Sequence, residues 1–107
     1  MADHLPVLVD RIHELLRGDP DASPTPLLSE MEHTLTDGYA RALALEGERW
    51  RIEKTIGKLA AEAEGAEHAR ELRRLSLKLS ETDDELERLR GLLDELSERT
   101  KLLRTGV

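Results

Sequence analysis

The chain has 107 residues, the size of a single domain; it contains no Phe, and only 2% of it is aromatic, so Leu must supply most of any core and narrow helix seams suit it better than sheet faces. Cys is absent, which excludes disulfides, thiolate metal sites and cysteine nucleophiles. A net charge of -7 opposes attraction to phosphate backbones and anionic lipid.

Residues 1–17 read as a short N-terminal amphipathic helix. Leu5, Leu8, Val9, Ile12, Leu15 and Leu16 recur at helical spacing after Asp3, a candidate cap, and before Gly18. Pro6 fits only in the first turn, where its missing N–H forfeits no intrahelical bond. Residues 18–26 form a linker dense in Pro and Asp, a composition that breaks helices. Thr25 followed by Pro26 then reads as a cap and first helical position.

Residues 27–107 carry the dominant pattern. From Leu28 an apolar seam runs through Met31, Leu35, Gly38, Ala42, Leu45, Arg49, Ile52, Ile56, Leu59 and Ala63, alternating steps of three and four. After Gly65 the same alternation runs through Leu72, Leu75, Leu79, Thr82, Leu86, Leu89, Leu93, Leu96, Thr100 and Leu103. These are a and d positions of heptads. Folding at Gly65 sets an a residue against a d residue in every layer, with Gly38 opposite Leu93 and Ala42 opposite Leu89, so volumes are complementary as well as register. The expected fold is all-α: a long antiparallel coiled-coil hairpin with its turn near Gly65, plus the short N-terminal helix. Thr36-Asp37-Gly38 and the capping-box spacing of Thr82 with Glu85 invite helix breaks, but neither disturbs the heptad phase, so continuous helices are expected.

One layer is irregular. Arg49 falls in the seam opposite Thr82, with Glu46, Glu53 and Asp83 at neighbouring e positions. A polar layer of this kind fixes register and orientation at some cost in stability; alternatively Arg49, with Arg90, offers guanidinium groups to a carboxylate or phosphate ligand. Outside the seam, Tyr39, Leu43 and Trp50 at e and b positions make an apolar stripe containing the only Tyr and the only Trp. With Leu92 they form the candidate partner-binding set, since such residues are enriched at interface hot spots. The stripe has three candidate covers: the N-terminal helix, a second copy in a four-helix dimer, or another protein.

The remaining chemistry-bearing residues do not assemble into sites. Glu30 and His33 have Glu-x-x-His spacing but fall on outer heptad positions, and no second such pair follows, so neither metal nor another cofactor is expected. His68, beside the turn, is expected to face solvent. The bases Arg70, Arg73, Arg74 and Lys78 are interleaved with Glu67 and Glu71 and lack neighbouring aromatics, which reads as an ion-paired face and not a nucleic-acid grip. There is no glycine-rich phosphate loop or catalytic triad pattern, so no enzymatic activity is expected. No apolar run reaches the roughly 20 residues that span a bilayer, and the N-terminus lacks the pattern of a secretory leader; the expectation is a cytoplasmic protein without membrane or nucleic-acid partners.

The functional expectation is a helical adaptor or regulator that docks or sequesters a protein partner. The architecture also resembles the hairpin anti-sigma factors that bind cyclic di-GMP, which implies a nucleotide-sensing regulator; their repeated Glu-x3-Ser-x2-Arg-x3-Gln-x3-Asp pattern is missing, so no residue is carried over. By size and fold the chain is similar to small secreted helical-hairpin proteins, but their Trp-x-Gly turn is missing, with Trp50 in mid-helix.

Overall fold

The computed structural model describes residues 5–17, 24–62 and 65–105, and the side chains of all of these except residues 24–26. Among them the chain is all-helical, with three helices and no strand: α1 (Leu5–Arg17), α2 (Pro24–Glu62) and α3 (Ala66–Arg104). Pro6 sits in the first turn of α1, as its chemistry requires. The helix α2 begins at Pro24, two residues ahead of Pro26, while Asp3, the linker residues 18–23 and Ala63 lie outside the described residues.

Both long helices run unbroken through the two sites that invite breaks. The Thr36 and Thr82 hydroxyls donate one turn back, to the carbonyls of Glu32 at 3.1 Å and Lys78 at 2.9 Å. A mid-helix threonine satisfies itself this way, so neither hydroxyl is used to cap a new helix. Ahead of α3, Gly65 has φ of 88°, in the left-handed region that glycine enters without steric cost.

The chain divides into two compact units, one comprising Met1–Ala42 with Arg88–Val107 and the other Leu43–Glu87. The first is a three-helix bundle. The face of α1 formed by Leu5, Leu8, Val9, Ile12 and Leu15 is buried, together with Met31, Leu89, Leu93 and Leu96 of the long helices. Polar contacts tie α1 to both neighbours: Arg11 reaches Asp37 of α2 at 3.3 Å, and Arg99 of α3 donates to the Leu16 carbonyl at 2.7 Å. The latter satisfies one of the carbonyls that a helix C-terminus leaves unbonded. Between the long helices Arg104 pairs with Glu32 at 3.0 Å, and Gly38 lies directly against the Leu93 side chain, in the expected register.

The second unit is a two-helix antiparallel hairpin. Leu45, Ile52, Leu75 and Leu86 are buried, whereas Ile56, Leu59, Leu72 and Leu79 are only half-buried, because two helices cannot enclose a seam that three can. Glu48 and Lys78 approach to 4.0 Å and Arg49 and Asp83 to 3.3 Å, contacts that only antiparallel strands of a coil in this register make. Early in α3, Arg74 donates from Nε to Glu71 at 3.1 Å, and that hydrogen bond, outweighing a small effect of burial, holds the Glu71 carboxyl below its ordinary range.

The glycines separate packing from propensity. A Cβ on Gly38 would overlap Leu93, which is 1% exposed and has no room to swing away; a Cβ on exposed Gly91 would meet nothing within 4 Å. Gly38→Ala is expected to destabilise the protein by about 1–3 kcal/mol through overpacking, and Gly91→Ala to stabilise it by about 0.5–1 kcal/mol through helix propensity. Chemical denaturation of the two variants checks both signs.

Candidate functional site

The heptads divide the surface of the hairpin helices into two flanks, one made of e and b positions and the other of g and c positions. Within the first unit α1 takes the g and c flank of α2. Its Arg11 meets Asp37, a c position, and lines an open groove of about 460 Å³ with Ser29, Glu30, His33 and Thr34. Leu92, at a g position of α3, is accordingly half-buried. It therefore stands apart from the other three residues of the candidate partner-binding set.

Those three remain uncovered. Tyr39, in the first unit, is 51% exposed, and Leu43 and Trp50, in the second, are 69% and 61% exposed. Within the first unit the N-terminal helix does not cover Tyr39, because its apolar face is spent on the opposite flank. The ammonium of Lys54, one turn along α2, lies 4.8 Å from the centroid of the Trp50 ring, a cation–π contact that orients the indole while leaving its other face open.

The polar layer forms within the second unit. Arg49 reaches Asp83 at 3.3 Å and Glu53 at 3.6 Å, and Thr82 is buried with its hydroxyl satisfied by the Lys78 carbonyl. The Arg49 side chain is 37% exposed, so it leans out of the seam toward carboxylates instead of enduring burial as an isolated charge. Two acids already occupy the guanidinium, and an anionic ligand must displace at least one of them. Arg90 is exposed on α3 in the first unit, so neither unit by itself holds both arginines of the candidate ligand pair.

Other residues are placed differently from expectation or went unnoticed. His68 is half-buried near the start of α3 instead of solvent-facing. Glu30 and His33 face the groove beside Arg11, and among the described residues no three His, Cys, Asp or Glu gather in a way that could hold a metal. Thr34 in the same groove is fully buried, and its Oγ1 has no hydrogen-bond partner among the described residues, although Thr36, Thr55, Thr82 and Thr100 all bond the carbonyl one turn back. The sequence signal for this side is faint: Leu27 and Thr34 share the g position, a short second stripe beside the seam.

Comparison with protein-family models, with curated proteins and with solved structures finds no match.

Two substitutions test these placements. Thr34→Val keeps the shape and removes a buried hydroxyl with no partner among the described residues, so it is expected to raise stability by about 1 kcal/mol; a loss in thermal unfolding would mean that the hydroxyl is satisfied in solution. Arg49→Leu exchanges partly exposed ion pairs, worth about 0–1 kcal/mol, for an apolar seam residue, worth up to about 2 kcal/mol. A rise in Tm is expected, and a fall would mean that the polar layer contributes more than its exposure implies.

Proposed function

We propose that the chain is a non-enzymatic interaction module that acts by docking a protein partner on the exposed side of α2. The observation that carries this reading is the exposure of Leu43 and Trp50, which lie off the seam at b positions of α2. Large apolar side chains left in water at helical spacing are the usual form of a helix-docking surface, and Trp is the residue type most enriched among interface hot spots. Tyr39 in the first unit has the same character.

Pairing of two copies falls within this reading, since a two-helix hairpin with half-buried seam residues gains most from a further helical layer. The reading places the protein in the cytoplasm as an adaptor or regulator. A nucleotide-sensing role is less well supported, because Arg49 is engaged by Asp83 and Glu53 and a phosphate would have to compete with both.

The test compares affinity capture by the wild-type chain and by a Leu43→Ala, Trp50→Ala variant confirmed as helical by circular dichroism. Truncating a hot-spot pair is expected to weaken a dependent complex by roughly 30-fold or more. If both chains recover the same proteins, or the same self-complex, with equal efficiency, the exposed residues are not the working surface and the reading fails.

A further inference from the structure

The two flanks of the second unit differ in composition. Its g and c positions are long and charged almost throughout, as at Arg51, Lys58, Arg74 and Glu81. Its e and b positions carry the exposed Leu43 and Trp50, the exposed small residues Gly57, Ala60, Ser76 and Ser80, and charged residues, Arg73 and Glu87 on the b rows and Glu46, Glu53 and Asp83 on the e rows, the last two paired with Arg49. Gly57 is in mid-helix, where glycine weakens the helix, and a Cβ there would meet nothing within 4 Å. No contact among the described residues therefore requires it. Composition alone does not name an occupant for this flank; the arrangement of its charges and volumes does.

Leu43 and Gly57 each lie seven residues from Trp50 on the b row of α2, and Arg73 and Glu87 each lie seven residues from Ser80 on the b row of α3. Because Glu48 reaches Lys78 and Arg49 reaches Asp83, Trp50 and Ser80 stand at the same level of the hairpin. One two-fold axis, perpendicular to the helices and passing through Trp50 and Ser80, thus serves both rows. It sets Leu43 against Gly57 of the second copy, and Arg73 against Glu87 of the second copy, each pair occurring twice by symmetry. Arg73 and Glu87 are both exposed, and neither has an ion-pair partner among the described residues. Trp50 meets its own copy on the axis, and Ser80, small enough for close approach, meets its own.

We infer that the e and b flank of Leu43–Glu87 pairs with the same flank of a second copy, α2 antiparallel to α2 and α3 antiparallel to α3, to form a four-helix dimer. This rests on the docking reading above and names its partner. Leu43 fills the space that Gly57 leaves open, the Arg73–Glu87 pairs fix the register, and the charged g and c flanks stay in water on the outside.

The test is sedimentation equilibrium of the full chain with Arg73→Glu, with Glu87→Arg, and with both together, each checked for helicity. The wild type is expected to be a dimer. Each single substitution turns two attractive pairs into two repulsive ones and is expected to raise the dimer Kd by roughly tenfold or more. The double substitution re-forms both pairs with charges exchanged and restores the Kd to within roughly threefold of wild type. A wild-type chain that stays monomeric through the micromolar range overturns the inference, as does a double variant no tighter than the singles. If the monomer still captures a different protein through Leu43 and Trp50, self-pairing falls while the docking reading stands; if neither self-complex nor captured protein depends on those residues, both fall.

Discussion

The alternation of a and d residues across α2 and α3 is the constraint from which the other features follow. Because the phase never slips between Leu28 and Leu59 or between Leu72 and Leu103, each long helix keeps one edge toward its partner, and every other residue is assigned to a flank. The contact of Gly38 with Leu93 pins the register in the first unit, and the Glu48–Lys78 and Arg49–Asp83 pairs report it in the second. Even the one charged seam position respects the phase: Arg49 turns its guanidinium outward without displacing its neighbours Leu45 and Ile52, which stay buried.

A helical hairpin has two flanks, and α1 occupies one of them. Its apolar face, closed over the g side of α2, gives the first unit a core in which Ile12, Leu89 and Leu96 are wholly buried. The same choice leaves the e and b side open. Within that unit the exposure of Tyr39 is therefore the complement of α1 packing, since one short helix cannot shield both sides.

The seam, the turn at Gly65 and the continuity of the helices were legible in the sequence because heptad phase is a long, redundant signal that a polar or small residue at one position does not erase. The seat of α1 was not. Its Leu8, Ile12 and Leu15 present an apolar face that suits either flank, and the deciding contacts, Arg11 with Asp37 and Arg99 with the Leu16 carbonyl, join residues far apart in the chain with no shared spacing. The same ambiguity set Leu92 beside the Trp50 stripe in the sequence reading, whereas its g position puts it on the flank that α1 covers. The exposed pair Leu43 and Trp50 was readable as apolar residues off the seam.

Half-burial of Ile56, Leu59, Leu72 and Leu79 toward the Gly65 end, against near-complete burial of Leu89, Leu93 and Leu96, grades the strength of the fold along α2 and α3. Backbone amides near Gly65 are guarded by few enclosed contacts and open by local fraying, while those beside α1 open only when the bundle itself comes apart. Within the second unit the segment near Gly65 is therefore the most readily exchanging. A layer laid across the second unit would act first on that segment, slowing solvent exchange where the isolated seam is weakest.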